Sequence, residues 1–232
     1  MANVVRFPQA MVEKDIFGVW NDFGNFATGT DGWTSLAADA GTTVAVNDAV
    51  GGRITLTTGA TDNNECAVKT TTEIFLMAAG KPLFCEARIQ YTEANTDDAN
   101  VMCGFMDAMA ADAIVDNGAG PKTTFSGAVI EKRDGGTVWR GTSSKSTTQT
   151  TTASTTTAGG ASFQVLRIEL HDYTATTFQA TYYVDGVALV DSNGKVIVHN
   201  ITFASATEMQ VGISVKAGGA NSEVVLVDYI GG

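Results

Sequence analysis

His171 and His199 are the only imidazoles in the chain, and neither has a carboxylate or thiol at metal-ligand spacing. Zinc sites gather Cys and His at short, fixed intervals, so that chemistry is not indicated. Carboxylates could instead serve glycoside hydrolysis, which needs two of them about 5–9 Å apart. On one face of a strand such a pair reads Glu-x-Asp or Glu-x-x-x-Glu, because alternate residues share a face. Glu86, Glu131, Glu169 and Asp228 stand singly beside basic or neutral neighbours and read as solvated strand-face charges. The stretches Asn95–Asn100 and Asp62–Glu65 offer oxygen donors for calcium, but without the ordered Asp-x-Asp-x-Asp-Gly interval of a dedicated loop; polar turns are expected at both. Gly-x-Ser-x-Gly, a phosphate-binding loop and a Gly-x-Gly-x-x-Gly opening a helix are absent. The residues predict no catalytic activity and no cofactor.

The remaining reactive groups are thiols. Cys66, Cys85 and Cys103 are odd in number, widely spaced and set in strand-like runs such as Leu83-Phe-Cys-Glu-Ala and Val101-Met-Cys-Gly-Phe. Buried free thiols are expected, with one disulfide plus a spare thiol as the alternative, and a reducing site of synthesis follows from the first reading.

The elements that must position these groups read as strands. In Phe163-Gln-Val-Leu-Arg-Ile-Glu-Leu-His171, Leu166, Ile168 and Leu170 alternate with Arg167, Glu169 and His171, the period of a strand with one wet and one buried face. Two apolar runs then flank Asp185-Gly186, a dipeptide that tolerates positive φ and closes a type I′ hairpin. Strands are also expected at Thr42–Val46, Arg53–Thr57, Glu65–Lys69, Leu83–Tyr91, Val101–Met106, Ser126–Arg133, Thr137–Arg140, Lys195–Val198, Met209–Val215 and Glu223–Ile230. Glu73–Ala79 fits a short helix, or almost as well a strand with a turn. Asp107 to Pro121 has no period and reads as a long connection. The Thr-rich run Thr142–Ala158 has no apolar face and reads as an exposed edge strand plus flexible loop.

Near the start, Trp20, Phe23, Phe26 and Trp33 lie among Gly, Asn and Asp, which suggests short strands or a hooked loop. They read as core or edge-covering residues, with a sugar-stacking platform as the alternative. Residues 1–35 are therefore assigned to an N-terminal arm and hooked segment outside the main sandwich, and 36–232 to one all-β domain, an antiparallel β-sandwich or jelly roll. With 232 residues, 44% hydrophobic, 25 glycines and 3 prolines, the chain suits one such domain with many tight turns. A net charge of −11 opposes nucleic acid and anionic membrane, and neither is expected as a partner. No secretory-signal pattern opens the chain and no apolar run approaches the ~20 residues that span a bilayer, so cytoplasmic synthesis is expected.

The order of segments carries a resemblance. Lys81-Pro-Leu-Phe-Cys-Glu-Ala-Arg-Ile-Gln, Asn100-Val-Met-Cys-Gly-Phe-Met-Asp107, a Gly-separated hairpin, Phe163–Leu170, Tyr183-Val-Asp-Gly-Val and Val224-Val-Leu-Val-Asp-Tyr-Ile230 together resemble the concanavalin A-like (laminin G-like) jelly-roll sandwich over residues 40–230. More narrowly, the chain looks like the versions in tailed-bacteriophage structural proteins. The family's calcium-coordinating lectin loops do not map onto this chain, and the Glu-x-Asp-x-x-Glu strand of its glucanases is missing. The resemblance therefore implies a non-enzymatic virion protein, synthesised in the host cytoplasm, that decorates the outer capsid surface. Its implied partners are the major capsid protein and further copies of itself, in a homotrimer. Asn3, Val4, Val5, Arg6 and Phe7 are the expected capsid or subunit contact. The alternatives are a tail or fibre component, or a carbohydrate-binding lectin-like module or degenerate glucanase with Trp33, Trp139 or Tyr183 as stacking residues.

Overall fold

Period-2 alternation along the chain becomes two antiparallel sheets packed face to face. The computed structural model describes residues 18–24, 26–29, 32–37, 39–47, 51–78, 80–93, 98–172, 174, 176–202 and 207–232. The first sheet runs, in spatial order, β16 (Val187–Ala188), β15 (Thr177–Val184), β14 (Gln164–Asp172), β7 (Leu83–Thr92), β19 (Val224–Gly231), β4 (Arg53–Thr57) and β3 (Thr43–Asn47). β17 (Val198–Thr202) also pairs with β15, and β1 (Trp20–Asn21) with β19. The second sheet runs β13 (Thr148–Thr157), β12 (Val138–Lys145), β11 (Gly127–Lys132), β8 (Ala99–Met106), β18 (Thr207–Ala217), β5 (Glu65–Thr70) and β2 (Trp33–Ala37), with β6 (Phe75–Met77) on β18. A small ribbon joins β9 (Ile114–Val115) to β10 (Gly120–Pro121).

The inward faces form one core. Ile54, Ile89, Leu166, Ile168, Tyr182 and Val227 of the first sheet meet Val68, Val101, Phe105, Ile130 and Ile213 of the second. Each such aliphatic side chain contributes about 1.5–3 kcal/mol through burial. β15 shows the alternation plainly: Phe178, Ala180, Tyr182 and Val184 are buried, and the residues between them are half-exposed. At the expected hairpin, Asp185 has φ 52° and Gly186 φ 76°, the two positive angles a type I′ turn needs. Asp185 also accepts a hydrogen bond from the Val165 amide at 2.8 Å. Only Val187–Ala188 pair directly after the turn; the chain then hooks away and returns as β17.

Three expectations are corrected. The 35/36 boundary falls inside β2, which pairs with β5, and Phe23 and Trp33 are buried in the main core, so the described residues between 18 and 35 pack into the sandwich. Their aromatics follow no period because each enters from a bend. Asn3, Val4, Val5, Arg6 and Phe7 lie outside the described residues. In the expected helix Glu73–Ala79, the described residues 73–78 form no helix but β6, with Phe75 and Met77 buried and Leu76 exposed; seven residues are too few to separate the two periods. The Thr-rich run is an edge strand only over Thr148–Thr157, and no flexible loop: residues 142–145 end the inner strand β12, with Thr142, Ser143 and Ser144 buried, and Ser146 and Thr147 alone join β12 to β13. Its missing apolar side is replaced by polar contacts, with Thr152 Oγ1 3.0 Å from His199 Nε2 and Ser154 Oγ donating to the Trp139 carbonyl at 2.7 Å.

Candidate functional site

Three surfaces of this sandwich could do chemistry, and one is closed. Asp107 to Phe125, expected as a loose connection, crosses the outer face of the second sheet. It buries Met109, Ala113, Ile114 and Phe125 against Met102, Met106 and Val129. Gly212 makes the close approach possible, since a Cβ there would stand 2.5 Å from Met109 Sδ. Two polar clasps hold this cap. Gln210 Oε1 accepts from the Met109 amide at 2.9 Å, while the buried Lys216 ammonium reaches Asp116 at 2.6 Å, the Ile114 carbonyl at 2.7 Å and Asp112 at 3.0 Å. Beneath it lies Glu65, 3.6 Å from Lys216 and hydrogen-bonded by Ser214. Burial pushes the Glu65 carboxyl up to about 7, against the opposing pull of Ser214 and Lys216. The carboxylates on Lys216 also raise its own pKa, although burial acts the other way.

The solvent face of the first sheet is open and charged. Arg167 lies 2.6 Å from Glu169 and 3.7 Å from Glu86, and His171 lies 3.2 Å from Glu169. Tyr229 donates to Glu86 at 2.9 Å, and Arg88 meets Asp228 at 2.5 Å. Trp20 is stacked on Tyr229 with ring centroids 4.8 Å apart. Sequence reasoning took these acids singly; strand pairing places Glu86 and Glu169 on either side of one guanidinium. Partial burial pushes the Glu169 carboxyl up, but the His171 hydrogen bond and Arg167 outweigh it and hold the group below its ordinary range. It stays ionised, and an ionised carboxylate cannot donate the proton that glycoside cleavage needs.

The third surface is a cleft of ≈ 420 Å³ at one end of the sandwich, between the sheets. Tyr91 and Glu93 come from the end of β7, Lys132 from the end of β11, and Thr137, Thr157, Ala158, Gly160 and Ala161 from the β12–β13 side. Lys132 has the inward parity of Ala128 and Ile130, so its ammonium is buried, and it forms an ion pair with Glu93. Buried charges persist when paired, and here the pair makes a polar, locally neutral floor. Thr137 and Thr157 are exposed at the wall. The Tyr91 ring stands edge-on to Trp139, centroids 6.0 Å apart.

The expected stacking residues are not brought together. Trp33 and Trp139 are 1% and 0% exposed, so neither can meet a sugar; Trp139 Nε1 instead donates to Gln164 Oε1 at 3.0 Å. Tyr183 lies half-exposed on the first sheet's solvent face, its hydroxyl pKa raised by burial and by Glu169. Of the aromatics named near the start, Trp20 is the exposed one, at 41%. Among the described residues no three His, Cys, Asp or Glu gather as a metal site, and residues 94–97 lie outside that set. Sequence reasoning missed Lys132 and Glu93. The available signal was parity, since a lysine at an inward position of a strand needs a buried partner.

No family model and no curated protein matches the chain. Solved structures do match in fold. An endo-β-1,4-glucuronan lyase from Trichoderma reesei superposes with a TM-score of 0.60 at 12% identity, covering 91% of this chain and 93% of that one. The carbohydrate recognition domain of Emp47p gives 0.59 at 10%, covering 92% and 93%. A carbohydrate esterase from the Shiga toxin-encoding bacteriophage phi24B gives 0.54 at 14%, covering 92% and 95%. The chain thus has the lectin-like jelly-roll fold, which among these neighbours carries both recognition domains and enzymes.

Proposed function

We propose that the protein is a non-catalytic, lectin-like recognition module that takes a neutral saccharide in the sandwich-end cleft. The observation that carries this reading is the lining of the cleft, where the buried Lys132–Glu93 pair leaves a locally neutral floor and Thr137 and Thr157 stand exposed on the wall. Sugar hydroxyls both donate and accept hydrogen bonds, as threonine hydroxyls do, whereas a neutral floor offers an isolated charge no counter-ion to offset the water it would lose. The cleft volume suits one or two rings, within the ~300–1,000 Å³ of small-molecule sites. The reading is tested on a neutral-glycan array followed by titration. Binding at about millimolar Kd or tighter is expected, weakened at least tenfold in Thr137→Val with Thr157→Val and unchanged in the edge-strand variant Thr150→Val. A panel with no binder counts against the function; binding that the double variant keeps and Trp20→Ala loses moves the site to the first sheet's face.

A second reading concerns setting. The segment order resembles bacteriophage structural proteins, and a phage protein stands among the fold neighbours. On this reading the module decorates the outer surface of a phage head as a homotrimer bound to the major capsid protein through Asn3, Val4, Val5, Arg6 and Phe7. Several linked contacts would raise the effective concentration of each. Undecorated shells should bind the full chain and bind a chain beginning at Val12 more weakly; shells that bind neither refute the setting.

A further inference from the structure

Cys85 on β7 and Cys103 on β8 face each other from opposite sheets. Both belong to the main core, at 1% and 2% exposure, with their side chains neighbouring one another, and Cα atoms of β7 and β8 approach within 8 Å. The sandwich is pinched at this level. Gly104, next to Cys103, lacks a Cβ, and one placed there would stand 2.6 Å from Ile168 Cδ1. Ile168 is the residue paired with Cys85 across β14 and β7. Backbones of β8 and β14 approach within 8 Å, inside the ~10 Å usual between stacked sheets. A disulfide requires such closeness, because its Cα atoms are no more than about 7 Å apart. Cys66 cannot compete: it lies on β5, two strands from β8 with β18 between, hence ~10 Å away along the sheet.

We propose that Cys85 and Cys103 are a latent inter-sheet disulfide, closed when the chain meets a small-molecule disulfide oxidant, and that Cys66 remains a thiol. One cysteine thiolate attacks the oxidant and expels one small thiol, giving a mixed disulfide; the second cysteine then attacks that bond and expels the other. Two S–H bonds are lost, one S–S bond forms, and two electrons and two protons end on the two small thiols. The neighbouring Cys103 thiol, followed by burial, raises the Cys85 thiol well above its ordinary range, and burial pushes Cys66 up to about 12. Thiolate is therefore scarce in the closed fold, and exchange proceeds through transient opening or during folding. The bond would tie the two sheets together through the middle of the core, a constraint that raises stability by limiting the unfolded chain.

The test refolds the full chain in a buffer of oxidised and reduced glutathione, blocks remaining thiols by alkylation and maps the peptides by mass spectrometry. A Cys85–Cys103 linkage with alkylated Cys66, a chain lighter by two hydrogen atoms before alkylation, and a higher Tm than the reduced protein are expected. Cys66→Ala should keep the linkage, and Cys85→Ala and Cys103→Ala should each abolish it. Because the wild-type map stands alone, a variant that fails to fold leaves the test intact. Three alkylated cysteines, a linkage through Cys66, or a cross-linked chain without native near-UV circular dichroism would overturn the proposal.

Discussion

Glu65→Gln should stabilise the protein in alkaline solution and leave it unchanged in acid. The Glu65 carboxyl is buried with Ser214 and Lys216 beneath the cap and titrates at about 7, against 4.5 in an unfolded chain. At about 1.4 kcal/mol per pH unit of displacement, ionising it in the folded state costs about 3 kcal/mol. Below about pH 4.5 both states hold the proton and nothing is lost. Between 4.5 and 7 the unfolded chain releases its proton first, so stability falls as pH rises, and above about 7 the loss is complete. Glutamine has the shape of the protonated acid and leaves Lys216 its bonds to Asp112, Asp116 and the Ile114 carbonyl. Urea unfolding at constant m should therefore show the variant level with wild type near pH 4.5 and about 2–3 kcal/mol more stable at pH 8. A difference that does not vary with pH, or a variant less stable at pH 8, would refute this reasoning and show that Lys216 depends on the Glu65 charge.

His199 works in the opposite sense. Burial pushes it down to about 4, so the unfolded chain takes up its proton first and stability falls from about pH 6.5 towards 4; His199→Gln should flatten that acid limb in the same urea series. Trp139→Phe should cost about 1–3 kcal/mol through the lost hydrogen bond to Gln164 and the smaller ring, read as a lower urea midpoint. Gly212→Ala sets a Cβ 2.5 Å from Met109 Sδ and 2.7 Å from the Val68 carbonyl, so the cap must lift; a loss of about 1–3 kcal/mol and faster amide exchange across 107–125 are expected.

What the sequence made legible follows from the range of its signals. Alternation is local, so β7, β14 and β15 and the Asp185–Gly186 turn could be read directly. The cap could not. Met109, Ala113, Ile114 and Phe125 have no period of their own, because they are spaced to fit Met102, Met106 and Val129 on another strand rather than to follow a helix or sheet. Trp139 misleads for a related reason: an aromatic among polar residues looks exposed, and only the facing sheet reveals that it is covered, whereas the core reading of Trp33 holds and only its stacking alternative fails. Lys132 and Glu93 meet from two sheets, and neither has a sequence neighbour that announces the other.

The cap also limits where a ligand can bind. A sandwich has two outer faces and two ends, and here the outer face of the second sheet is closed by apolar packing and by a lysine tied to three oxygens of the crossing segment. The first sheet's face is open, but its Arg and Glu side chains already satisfy one another, so a ligand there would have to compete with ion pairs that cost it nothing to leave alone. The end cleft differs on both counts. Its charges are buried as a pair, and beside its apolar lining stand the exposed Thr137 and Thr157, whose hydroxyls can exchange hydrogen bonds to water for hydrogen bonds to a ligand at little net cost. Affinity there depends on how many hydroxyls a ligand can match at once, and for that reason removing Thr137 and Thr157 hydroxyls together is a sharper probe than removing any charge.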